Sequence, residues 1–143
     1  MDRSKNLEEA ISKWPSVSTH PHSLGRTEFR FGSAEIGRIH VGGVVDIPFP
    51  RPVRNALLAA GLVEEHRWVP NSGWTTFHVH SDEDFKSALW LTRLSYLRYA
   101  LKTAPDPRRL LERETEQLDL SPPFKLLLEP FVPNLCPPCY PCR

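Results

Sequence analysis

Residues 72–85 read SGWTTFHVHSDEDF, and the way this run divides decides the fold. In its first half Thr75, Phe77 and Val79 fall on one side of an extended chain, with Trp74, Thr76, His78 and His80 on the other, because successive strand side chains alternate between faces. Phe77 and Val79 mark the core side. In the second half the pattern changes: Ser81 is a natural N-cap, Asp84 three residues on is its capping-box partner, and Asp82, Glu83 and Asp84 suit the positive end of a helix dipole. A strand runs into a helix here, and the acids are structural. His78 and His80 share a face as two metal ligands on a strand would, but zinc needs further ligands that the neighbouring sequence does not supply. They read as solvent-facing polar positions.

Downstream, the helix from residue 82 to about 101 carries two apolar stripes, Phe85, Ala88, Leu89, Thr92, Tyr96 and Tyr99, and beside them Trp90, Leu94, Leu97 and Leu101. A helix resting only on a sheet needs one apolar face, so the second implies a further partner: the C-terminal extension, another copy of the chain, or a partner protein. Upstream, Pro70-Asn71-Ser72-Gly73 links residues 64–69 to 74–80 as a hairpin. Val53, Ala56, Leu57 and Ala60 form a helical stripe closed by Gly61. Three β-prone runs, 27–31, 34–41 and 44–47, precede it, the last two joined through Gly42-Gly43 read as a two-residue turn. Leu7, Ala10, Ile11 and Trp14 mark a first helix that Pro15 stops. The order helix-β-β-β-helix-β-β-helix predicts an α+β domain, an antiparallel sheet of about five strands covered by three helices, over residues 5–103. Nine of the fifteen prolines lie from Pro105 to Pro141, so residues 104–143 read as a proline-rich extension with one helix over about 108–118 and an irregular arm.

The 143 residues suit one principal core. With 18 basic and 17 acidic side chains the formal charge is +1, so no bulk field attracts nucleic acid or an anionic membrane. Arg26, Arg30, Arg38, Arg51 and Arg54 leave room for a local basic patch, and hence for a nucleic-acid-binding accessory role as a third alternative. No run approaches the eighteen apolar residues that cross a bilayer, and MDRSKNLEEAISKW lacks the apolar stretch of a signal peptide. The sequence predicts a soluble, cytoplasmic protein without membrane contact. All three cysteines lie in LCPPCYPC near the end, so the body of the fold does not depend on disulfides.

WPSV at 14–17, EIGRIHVGG at 35–43, VDIPFP at 45–50, RNALLAAGLVEEH at 54–66, VPNSGWTTF at 69–77 and LTRLSY at 91–96 resemble, in order and spacing, the luciferase-domain family over about residues 24–99. More distantly the order of elements resembles the MmcQ/YjbR-type proteins and their frataxin-like or double-wing fold. The family's label implies a link to light-emitting oxidation.

His40, Asp46, His66 and Trp74 each lie within one of these segments, at a strand end or corner. A histidine oriented by a carboxylate is the usual general base, and a tryptophan supplies a flat wall for an aromatic ligand. His40 and His66 are accordingly the candidate catalytic residues, with Asp46 and Trp74 as candidate ligand-binding residues. A two-residue turn at Gly42-Gly43 would put His40 and Asp46 on opposite faces, and only a bulge would then bring them together. Cys136, Cys139 and Cys142, spaced i, i+3 and i+6, could gather one zinc or copper ion as thiolates, with a fourth ligand from elsewhere. There is no GxGxxG, P-loop or GxSxG motif. Two roles are considered. One is a module binding a small aromatic molecule or a partner; the other, which the resemblance implies, is a small cofactor-independent oxidoreductase with a histidine base.

Overall fold

The structure, a computed structural model, describes residues 3–22, 25–66, 68–69 and 72–133. The chain divides into two compact units, Met1–Tyr96 and Leu97–Arg143. The first holds α1 (Arg3–Ser12), β1 (Val17–His22), β2 (Arg26–Phe31), β3 (Ala34–His40), β4 (Val44–Pro48), α2 (Arg51–Ala59), β5 (Glu64–Glu65), β6 (Trp74–His78) and most of α3 (Asp82–Thr103). The strands form one antiparallel sheet in the order β1-β2-β3-β4-β6-β5. The expected α+β class is observed among the described residues, with six strands instead of five and the three expected helices in the domain, while the extension holds two α-helices where one was expected.

The additional strand is β1. Its residues, VSTHPH, lack apolar alternation and include Pro21, which has no backbone donor. Such a sequence is tolerated only at a sheet edge, where half the ladder faces solvent. β1 pairs with β2 from Val17↔Phe31 to His22↔Arg26. Ser16, at φ 68°, turns the chain into it from α1. At the opposite margin β5 is only two residues long, because the chain leaves the sheet at His66 instead of continuing to residue 69.

The two faces of the sheet differ in chemistry. Phe29, Ile39, Val45, Ile47 and Thr75 are buried on one. Burying an aliphatic or aromatic side chain is worth about 1.5–3 kcal/mol, so this apolar face carries the packing. Val79 is also buried, while Phe77 is only half-buried. α3 lies against this side: Ser95 Oγ donates to the Pro48 carbonyl at 2.9 Å, and Thr92 sits over Gly37. The start of α3 is as the sequence predicts, with the Asp84 N–H donating to Ser81 Oγ at 3.1 Å. Near its far end in this unit, Tyr96 packs at a tilt against Trp14 and edgewise on Phe31, and donates to the Pro15 carbonyl. The other face carries Glu28, Arg38, His40, Asp46, Thr76 and His78.

The β3–β4 connection sets the geometry of that polar face. His40 pairs with Val44, so the loop holds three residues, Val41-Gly42-Gly43, and not the two expected. The extra residue restores the phase between the strands, and His40 and Asp46 share a face. Gly42 and Gly43 have φ of 100° and 86°, and a Cβ on Gly43 would sit 2.7 Å from the Val79 carbonyl oxygen. That close approach accompanies a ladder-like bond in which the Val79 N–H donates to the Gly43 carbonyl at 2.8 Å.

α2 ends as predicted at Gly61, whose φ is 71°. The Leu62 and Gly61 N–H groups donate to the Leu57 and Leu58 carbonyls, the Schellman pattern that closes the last turn. In the second unit the remainder of α3 is followed by α4 (Pro107–Gln117), α5 (Pro122–Leu128) and a 3₁₀ turn (Glu129–Phe131). Asp106 caps α4, and Asp119, at φ 52°, ends it. Leu97, Leu101, Leu111, Leu120, Leu128 and Val132 are buried. α5 replaces part of the irregular arm expected here, because Pro122 and Pro123 occupy the first turn of a helix, where a missing N–H costs nothing.

Gly43→Ala forces an L-residue into a left-handed conformation and drives its Cβ into a backbone oxygen. Urea denaturation should show a loss of about 1–3 kcal/mol, whereas Gly32→Ala, with no atom within 4 Å of its Cβ, should lose less.

Candidate functional site

The sheet order places Asp46 near the middle of the polar face, with β3 on one side and β6 on the other. Thr76 lies directly across from Asp46 on β6, and His40 lies diagonally from it on β3. His66 comes in where β5 ends. These four side chains converge. His40 Nε2 is 2.8 Å and His66 Nε2 3.3 Å from the same oxygen, Asp46 Oδ2, while Thr76 Oγ1 donates to Oδ1 at 2.9 Å.

Asp46 is only 5% exposed. A buried carboxylate is costly unless its lone pairs are met, and hydrogen bonds to a charged group contribute roughly 1.5–3 kcal/mol each. His40 and Thr76 meet them here by hydrogen bonds, with His66 Nε2 in close contact at 3.3 Å. A carboxylate only accepts, so the His40 imidazole must present N–H at Nε2.

This fixes the role of each ring. His66 Nδ1 accepts the Trp68 backbone N–H at 3.2 Å, so both of its nitrogens are engaged. His40 differs: its Nδ1 has no hydrogen-bond partner among the described residues, and the ring is part-exposed. Asp46 holds His40 through Nε2 and leaves Nδ1 as the ring's acceptor, the arrangement of a base held by a carboxylate, although reached through the opposite nitrogen from the usual triad.

A cavity of about 300 Å³ opens beside these groups, its wall including His40, Asp46, His66, Trp68, Thr76 and His78. Trp68 is 76% exposed. Trp74 is not on this wall. Its ring lies edgewise to His66, with centroids 6.4 Å apart, and the Arg38 guanidinium covers it at 4.4 Å. The structure thus brings His40, His66 and Asp46 together, sets Trp74 behind them, and adds Thr76 and Trp68, which the sequence reading did not single out. Thr76 was hidden because β6 pairs with β4 across an intervening helix and strand, a register no local pattern reveals.

Among the described residues, no group of three or more His, Cys, Asp or Glu is arranged to hold a metal ion. His78 and His80 stack ring on ring, 5.9 Å between centroids, and His78 lies 3.9 Å from Glu64. Cys136, Cys139 and Cys142 lie outside the described residues. No helix is long and apolar enough to cross a membrane among the described residues. Of the N-terminal arginines, Arg30 pairs with Glu28, Arg38 with Glu35, and the buried Arg54 with Glu65.

A family model described as Luciferase domain matches residues 33–95. That segment is similar to the luciferase domain, and it contains His40, Asp46, His66, Trp68 and Thr76. No curated protein and no solved structure matches the chain.

Glu28, buried on the same polar face, accepts from Arg30 Nε at 2.6 Å and contacts His22 Nε2 at 3.0 Å. Burial pushes its carboxyl pKa up, but the Arg30 hydrogen bond and charge, together with His22, outweigh this and hold it below the ordinary value of 4.5. A carboxyl depressed in the folded state adds stability above its unfolded pKa and loses it as pH falls through the folded one. Glu28→Gln should therefore flatten the decline of stability below about pH 4.5, read as urea midpoints from pH 6 down to about pH 3.

Proposed function

We propose that the luciferase-like domain is a small-molecule-binding module whose ligand sets an O–H or N–H donor on His40 Nδ1 and a flat apolar body along Trp68. The observation that carries this reading is the Nδ1 acceptor of His40, whose ring is held through Asp46 on the wall of a cavity. Its volume of about 300 Å³ is at the lower end for small-molecule sites. An unpaired acceptor beside an exposed indole suits a planar ligand with one acidic proton.

The same pair supports a second reading, cofactor-independent oxidation. Here His40 would take the proton of a bound phenol or enol, the resulting imidazolium would be stabilised by Asp46, and the electron-rich anion would pass electrons to dioxygen. The family label and the His40–Asp46 bond support it. The paired arginines give the nucleic-acid alternative no comparable support.

The two readings share a first test. With p-cresol as probe, the His40 ring and Trp68 resonances should move together in NMR titrations. His40→Ala should weaken binding at least tenfold with an unchanged circular dichroism spectrum, and Asp46→Asn should weaken it too, because an amide keeps an acceptor for only one of His40 and Thr76. Equal p-cresol binding by the parent and His40→Ala would discard the site. Oxygen uptake with a panel of phenols and enols then separates enzyme from binder: uptake lost in His40→Ala supports oxidation, and its absence leaves the binding module.

A further inference from the structure

The cavity beside His40 carries a charge that a ligand must answer. Three carboxylates stand on its wall, Asp46, Glu64 and Glu65, and among the described residues no lysine or arginine does. Two of the three are met from within the chain. His40 and Thr76 bond to Asp46, with His66 in contact, and Arg54 Nη2 donates to Glu65 at 2.6 Å. Glu64 is different: its side chain is 74% exposed, and its carboxylate lies 3.9 Å from His78 Nε2, too far for a hydrogen bond.

Sheet geometry puts that carboxylate across the cavity from His40. Glu64 pairs with Thr76, and Thr76 with Asp46, so all three share the polar face. In the sheet order β5 is three strands from β3, a separation of about 14 Å between backbones. His40 therefore lines one margin and Glu64 the other, with Trp68 on the same wall. An acceptor for a hydroxyl, an exposed indole and a distant carboxylate suit three different parts of one molecule.

We propose that the cavity selects a phenol carrying a cationic tail, with its hydroxyl on His40 Nδ1, its ring along Trp68 and its ammonium on Glu64. An ammonium two carbons from the ring, as in tyramine, gives the molecule a length suited to that width. An anionic tail would instead meet the like charge of Glu64, in a cavity that already holds Asp46 and Glu65. Because Glu64 is exposed, its pairing with the ammonium contributes only a few-fold in affinity and weakens with salt. The inference rests on the binding reading above and adds to it the sign of the ligand's charge.

The test compares three phenols on the full chain at pH 8 and low ionic strength: neutral p-cresol, cationic tyramine and anionic 3-(4-hydroxyphenyl)propionate. Dissociation constants come from NMR titration. Tyramine should bind about threefold or more tighter than p-cresol, and the propionate about threefold or more weaker. Added salt should narrow both gaps. Tyramine should also move the Glu64 and His78 resonances, which p-cresol leaves in place. Glu64→Gln removes the charge at an exposed position and should bring tyramine to the affinity of p-cresol, with p-cresol itself bound as in the parent. Tyramine bound no tighter than p-cresol by the parent, or preferred as strongly by Glu64→Gln, would overturn charge selection; p-cresol binding then leaves the binding reading standing. If none of the three phenols binds, the binding reading fails and the selection falls with it.

Discussion

One buried carboxylate organises the polar side of this sheet. Asp46 is largely removed from water, so its lone pairs must be met mainly by protein groups, and the chain brings them from three places: His40 from β3, Thr76 from β6, and the contact of His66 from beyond β5. Each donor constrains its own backbone in return. The three-residue loop with its left-handed glycines, the insertion of β6 between β4 and β5, and the early end of β5 are all needed for that convergence. A phase error of one residue in any of these strands would turn a donor toward the apolar side and leave the charge unmet.

Asp46 is hydrogen-bonded by His40 Nε2 and approached by His66 Nε2, yet the two residues of one type acquire different roles. His40 is left with an acceptor at Nδ1, whereas His66 spends its second nitrogen on the main chain. Residue type alone made the two histidines equivalent; hydrogen-bond accounting separates them. The apolar side, meanwhile, is ordinary packing of Phe29, Ile39, Val45 and Ile47 under α3, which allows the polar side to be specialised without the fold depending on it for most of its burial.

Legibility in the sequence followed the strength of local signals. The strand-to-helix switch at Ser81, the Gly61 stop of α2 and the order of elements were readable because each is set within a few residues. β1 was not, since an edge strand with one exposed face and a proline carries no alternating pattern. α5 was hidden by prolines that in fact start it. At the site, His40, Asp46 and His66 stood out by chemistry, but their relation was misjudged by one residue of loop length. Thr76 and Trp68 had no local signal: one depends on a long-range strand pairing, the other on a main-chain bond to a histidine ring. Trp74 attracted notice as an aromatic beside the site, yet its ring lies edgewise to His66 and is covered by Arg38.

The margins of the sheet carry a consequence for behaviour at high concentration. An open β edge is a template on which a second chain can add, and long, flat, apolar edges do so most readily. Here one border is the polar strand with Pro21, which interrupts the row of donors, and the other is a two-residue stub of glutamates, Glu64 and Glu65, whose like charges would oppose one another across any symmetric pairing. Self-templated growth into fibrils is thus resisted at both ends by unrelated means, one through a missing donor and one through repulsion.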